Sequence, residues 1–291
     1  MIIDIPSQAD YEQTSTELFI TAWRSVIGLL VERRETEQST NGINITDYLP
    51  TIQAELRSAL ALVHQGVEFD LRGRICDVSP YLLIAGTPPQ NWPKKCSQID
   101  VSFSSFRSID AQDLVKIVNT VCKERLTDQF VTWFEQLRVR RNQITHSVAN
   151  TSLLEEIDVL RLLLDASEFL RGHGALMNIR KSSLLRTSEV VLSRYLEIEE
   201  NVSAAYHLGT VQQEFVVVAD SLLPSESKRY FDFDKKMKRH ICANCLTLRN
   251  QEYFFELKNL EWYYCATAVM LSAEEIFCLV CREKGRIDET Q

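Results

Sequence analysis

The chain has 291 residues, 45% of them hydrophobic and 25% charged. This composition fits a folded globular protein of about two domains and excludes collagen, a disordered acidic tail and a low-complexity chain. Lys plus Arg number 32 against 40 Asp plus Glu, a formal charge of -8, so cations do not coat the whole surface, although a local basic groove is compatible with that total.

The opening MIIDIPSQADYEQ has neither a basic leader nor an apolar core of the signal-peptide kind. No apolar run approaches the roughly 18 residues of a membrane span. The cysteines, 8 in all, are too dilute for a secreted disulfide scaffold, so a reducing cytoplasmic setting is expected.

Residues 8–35 read as a helix, with Leu18, Phe19, Ala22, Trp23, Val26, Leu29 and Leu30 at intervals of three and four. ERRETEQSTNG breaks the pattern. A second helix is predicted over 46–65, with Thr46 or Asp47 as a cap, Pro50 in the first turn, and Ile52, Leu56, Leu60 and Val63 as its stripe. Between 67 and 109, Gly73, Gly86, Pro80, Pro88, Pro89 and Pro93 punctuate the chain, and DVSFSSF alternates like a short strand. An irregular insertion is expected there.

Helical periodicity returns over 110–126, 128–147 and 152–171, and Gly172 and Gly174 mark a stop. Residues 176–224 read as a helical extension, and Pro224 with SESKR as a linker. The tract KRYFDFDKKMKRH at 228–240 is basic, and the aromatic runs YFFEL and WYY read as short strands. The expected division is therefore a mainly α chain: a helical bundle over 1–175 carrying the 67–109 insertion, a helical extension over 176–224, and a basic linker with a small cysteine module over 225–291.

Cys242-Ala-Asn-Cys245 and Cys278-Leu-Val-Cys281 are two C-x-x-C steps. Each spacing lets two thiolates reach one tetrahedral ion from a tight turn, and two such turns close a four-sulfur site of the structural zinc-ribbon kind. Iron in a rubredoxin-like site is the competing metal, because ligand softness does not separate the two. Cys265 and His240 are spare ligand candidates. Bound zinc would order a module too small for its own core, by about 10–16 kcal/mol, and four sulfurs would leave no open position for substrate. Cys76, Cys96, Cys122 and Cys265 otherwise read as small buried hydrophobes.

The segment LRVRRNQITH closes the helix predicted over 128–147. Its Arg141-Asn142-x-x-x-His146 resembles the signature of the HEPN superfamily: an Arg, a polar residue (often Asn) directly after it, and a His a short way on. An amphipathic helix before the motif and a leucine-rich helix after it fit the same family, and the resemblance extends over 8–175 apart from the insertion. Arg57 with His64 and Arg140 with His146 satisfy a looser form of the motif; Asn142 and the helix context favour Arg141.

The resemblance implies an all-helical bundle that cuts RNA without a metal, as a homodimer in which two copies of Arg141 and His146 meet. It also implies an antitoxin or defence-complex partner, as for toxins and phage-defence effectors. In HEPN toxins paired with a nucleotidyltransferase antitoxin a Tyr receives adenylate two residues after the His. Here that position is Val148, so adenylation is not carried over.

The residue types suit that chemistry. A guanidinium binds the phosphoryl oxygens where charge accumulates, and an imidazole shuttles the 2′-OH proton. Residues five apart on a helix point about 140° from each other, so Arg141 and His146 suit a composite site from two chains. Asn142 and His146 share a face. Arg138 and Arg140 add cations beside the motif, and Lys235, Lys236, Lys238 and Arg239 are further RNA-binding candidates. Other readings stand beside this one. Arg and His at a helix end also serve as solvated charges that complement the dipole. A non-catalytic scaffold or nucleotide-binding module, or a ribbon-led nucleic-acid regulator, would use the same fold differently. No P-loop, G-x-G-x-x-G, H-E-x-x-H or G-x-S-x-G occurs.

Overall fold

The spacing of apolar residues along 8–35 folds as a helix in the computed structural model, which describes residues 1–38, 45–86, 100–146, 153–184, 200–242, 245, 266–272 and 275–286. The helices are α1 (Gln8–Gln38), α2 (Ile45–Tyr48), α3 (Gln53–Val78), α4 (Ala111–Val121), α5 (Asp128–His146), α6 (Glu156–Arg171), α7 (residues 175–184), α8 (Glu200–Ser221) and α9 (Pro224–Phe231). β1 (Ile2–Ile3) pairs in parallel with β2 (Val101–Ser102). β3 (Arg239–His240), β4 (Ala268–Met270), β5 (Glu275–Cys278) and β6 (Lys284–Arg286) form an antiparallel sheet in that order. The chain is thus mainly helical with a small sheet towards its C-terminal end. Among the described residues no helix is long and apolar enough to cross a membrane.

Two compact units divide the chain: Met1–Ser25 with Ile45–Ala166, and Val26–Asn44 with Ser167–Gln291. These bounds differ from the expected breaks after 175 and 224. The helical extension and the cysteine module fall in one unit, which also takes the C-terminal half of α1.

In the first unit α3 contacts α4 and α5. Phe19 and Trp23 of α1, Leu56, Leu60, Val63, Val67, Leu71 and Ile75 of α3, Leu114 and Val118 of α4, and Phe130, Phe134 and Leu137 of α5 are buried. Full burial of such a side chain stabilises by about 1.5–3 kcal/mol. The irregular insertion expected from residue 67 begins later, because α3 continues to Val78. The glycines of α3 are packing residues, not breaks: a Cβ on Gly66 would lie 2.6 Å from the Phe19 ring.

The helix stops where Pro80 follows Ser79, since proline disfavours helical backbone in the residue before it. A 3-10 turn at Pro80–Leu83, a bridge from Ile84 to Ser108, β2 and a second 3-10 turn at Phe103–Ser105 complete the described part of the excursion. Gln53 fastens the entry to α6. Its amide donates to the Leu154 carbonyl and accepts from the Leu154 N–H, both at 2.9 Å and buried, as a peptide group would.

α6 ends at Arg171, and Gly172 follows with φ +90, the left-handed residue at which helices commonly stop. In the second unit Leu176, Met177, Val211, Phe215, Val218, Leu222, Tyr230 and Phe231 are buried, with Phe215 edge-on to Phe231 at 5.2 Å. Arg180 and Glu214 pair twice, at 2.7 and 2.9 Å.

The expected linker at Pro224 is instead the start of α9. Proline is pre-shaped for the first helical position, and Glu226 reaches back to accept from the Leu223 N–H at 2.8 Å. The helical expectation over 185–199, the runs YFFEL and WYY, Val148 and Cys265 lie outside the described residues.

Candidate functional site

Cys242 follows β3 and Cys278 ends β5, and a turn leads from Cys278 to Cys281. The four Sγ atoms of Cys242, Cys245, Cys278 and Cys281 lie within 4.8 Å of one another. The Cys242–Cys281 and Cys245–Cys278 separations are both 3.8 Å. Sulfurs placed about 2.3 Å from a central ion at tetrahedral angles stand about 3.8 Å apart, so the cluster could hold a metal ion. His240, the spare candidate, lies in β3 and is not among the four clustered ligands.

Two polar groups converge on the Cys278 sulfur. The Cys281 N–H donates to Cys278 Sγ at 3.4 Å, and Thr267 Oγ1 lies 3.4 Å from the same sulfur. Hydrogen bonding with Cys242 holds the Cys278 thiol well below the usual thiol range, while the same neighbour pushes Cys245 well above it. A divalent ion bound there would hold all four sulfurs as thiolates and neutralise their charge.

The Arg/His motif ends α5. Arg141 follows Phe134 and Leu137 at seven and four residues, so it continues the inward face of that helix and is half-buried. Its Nη1 donates to Asn142 Oδ1 at 3.0 Å. His146 is the last residue of α5, and its side chain lies outside those described. Beside this face on α3 is a polar cluster that the motif does not include. His64 is 3% exposed, stacks on Phe134 at 5.6 Å and sits 3.1 Å from Glu68 through Nδ1. Glu68 also pairs with Arg72 at 2.8 Å. Burial, helped by the charges of Arg141, Arg138 and Arg72, holds the His64 imidazole below its usual range against the pull of Glu68. His64 is the partner of Arg57 in the looser motif, but nothing in the sequence signals that it shares a neighbourhood with Arg141.

Between α5 and α6 an open cleft of about 480 Å³ is lined by Trp133, Gln136, Val139, Arg140, Leu162 and Asp165, among others. Arg140 is exposed and reaches this cleft. The other RNA-binding candidates divide into two groups. Arg138 is bound to Glu135 at 2.6 Å. Lys235 donates to the Asp220 carbonyl at 2.9 Å and also to that of Leu222, and burial holds its ammonium below the usual range. Arg239 pairs with Asp220 at 3.0 Å. Lys236 and Lys238 are exposed. Comparison with protein-family models, curated proteins and solved structures finds no match for the chain.

Proposed function

We propose that the chain is a metal-independent endoribonuclease of HEPN type that acts as a homodimer, with zinc held by Cys242, Cys245, Cys278 and Cys281 in a structural role. The observation that carries this reading is the hydrogen-bonded Arg141–Asn142 pair at the end of an amphipathic helix that His146 closes, within a mainly helical unit. The ribose 2′-OH attacks the adjacent phosphorus, and the bond to the 5′ oxygen breaks. Arg141 binds the phosphoryl oxygens as charge builds on them. His146 accepts the 2′-OH proton or supplies one to the departing 5′ oxygen, leaving a 2′,3′-cyclic phosphate. Asn142 orients Arg141, and Arg140 with the cleft beside Trp133 guides the strand towards the motif. Zinc fits the four-sulfur geometry, and its part is to hold β3 to β5. A toxin or phage-defence role, restrained by a partner protein, follows from the HEPN resemblance.

The test is RNA incubated with the full-length protein in EDTA, scored for cyclic-phosphate ends. Arg141→Ala and His146→Ala are expected to lower cleavage at least about 100-fold, the usual scale for loss of a charge-stabilising or proton-transferring group. Cleavage that survives both changes rejects the site. The internal pairing of Arg138, Lys235 and Arg239 favours a second reading, a non-catalytic bundle acting through protein contacts. A folded dimer that leaves all RNA intact would support it.

A further inference from the structure

Two buried polar side chains beside the four sulfurs belong to neither motif. Thr267 is wholly buried and Gln212, on α8, is 2% exposed. Gln212 shares α8 with the buried Val211, Phe215 and Val218, where an amide without a partner costs about 1–3 kcal/mol. Gln212 Nε2 donates to Thr267 Oγ1 at 3.2 Å, and Thr267 Oγ1 lies 3.4 Å from Cys278 Sγ.

The direction of this relay follows from its chemistry. The amide nitrogen can only donate, so the threonine oxygen accepts, and the hydroxyl hydrogen remains for the sulfur. A metal-bound thiolate can only accept. The Leu279 N–H donates to the Thr267 carbonyl at 2.8 Å, which fixes the threonine backbone against the turn between Cys278 and Cys281. The hydroxyl therefore has one acceptor and one donor, each on a different element.

We propose that Thr267 and Gln212 are positioning residues of the metal centre, and that through them occupancy of the four-sulfur site sets the order of α8. This rests on reading that site as one that binds zinc. A hydrogen bond to a thiolate draws charge from the sulfur and fixes its direction, which lets four anionic ligands share one dication. The same bond gives the buried Gln212 amide a partner that is itself held in place. Without the ion the sheet still joins β3 to β5 through β4, but no charge holds the four sulfurs as thiolates, and the Thr267 hydroxyl loses its thiolate acceptor.

The full-length protein is titrated with Zn²⁺ and separately with Co²⁺, whose thiolate charge-transfer bands report sulfur donation. Thr267→Val is expected to weaken zinc binding about 10–100-fold, the usual cost of an outer-layer partner, and to shift the cobalt bands; Thr267→Ser restores both. Gln212→Met, which leaves the hydroxyl in place, shifts the same bands by less and decides the matter if Thr267→Val does not fold. Stripping the metal from the unmodified chain is expected to lower hydrogen-exchange protection across 209–221. Cobalt bands and zinc affinity unchanged in the variants overturn the relay, and unchanged α8 protection overturns the coupling. An unmodified chain that takes up neither ion on four sulfurs overturns the metal site itself.

Discussion

His64 and His173 meet opposite surroundings. His64 is buried among the charges of Arg72, Arg138 and Arg141, with Glu68 its anionic neighbour, and burial sets its imidazole below the ordinary 6.5. At His173 burial also opposes charge, but hydrogen bonds with Asp232 at 2.8 Å and Glu168 at 3.0 Å outweigh it and raise the imidazole above 6.5. The signs then differ. A depressed folded-state value gives stability that is present above the unfolded value and lost as pH falls through the folded one. A raised value gives stability that is present below the unfolded value and lost as pH rises through the folded one. Urea unfolding from pH 5 to 8 is expected to show both. His64→Phe flattens the loss on the acid side, whereas the gap between unmodified protein and His173→Gln is widest at low pH and closes above the raised value. Identical pH profiles for all three proteins would rule out both assignments. Nothing in the sequence separates these imidazoles, because Asp232 reaches His173 only through the turn after α9.

The helices whose apolar spacing repeats without interruption, α1, α4 and α5, match their expected spans to within a few residues. Others do not: the helix expected over 46–65 divides into α2 and α3 with Pro50 between them, and two further shifts involve residues with two structural uses. Pro224 is a break in most contexts, but it starts α9 because its missing N–H lies where no helix bond is required. Gly73 reads as part of the irregular stretch, yet it and Gly66 lie inside α3 facing α1, where a methyl would meet Tyr11 Cβ at 3.2 Å from Gly73 and the Phe19 ring at 2.6 Å from Gly66. The distinction is measurable. Gly28 of α1 has nothing within 4 Å of the place a methyl would take, whereas a methyl on Gly66 meets Phe19 at 2.6 Å. Gly28→Ala is expected to stabilise by about 0.5–1 kcal/mol through helix propensity. Gly66→Ala is expected to destabilise by about 1–3 kcal/mol through overpacking. Denaturant midpoints at unchanged slope would show these opposite shifts; a neutral Gly66→Ala would mean that the Phe19 ring yields without cost.

Across the whole molecule, the paired cysteines are legible in the sequence because both partners of each step lie three residues apart. The Gln212–Thr267 contact is not, nor is the placement of the His64–Glu68–Arg72 row beside α5, since each joins elements far apart in sequence; the row itself follows the four-residue spacing of α3. Charge shows the same limit. The basic tract before β3 reads as one RNA-binding surface, but folding directs Lys235 and Arg239 to Asp220 and leaves Lys236 and Lys238 exposed. With Arg140 these are the exposed members of the proposed RNA-binding set in a chain of net charge -8. Three phosphate contacts to single-stranded RNA give a slope of about -2 for log affinity against log salt. A protein carrying His146→Ala, which binds RNA without cutting it in the proposed mechanism, is expected to show that shallow slope in fluorescence anisotropy. Adding Lys236→Glu and Lys238→Glu moves the slope towards zero and weakens binding at low salt, whereas changing Lys235 disturbs folding more than salt dependence. A slope that stays the same after both exposed lysines are reversed would place the RNA elsewhere on the chain.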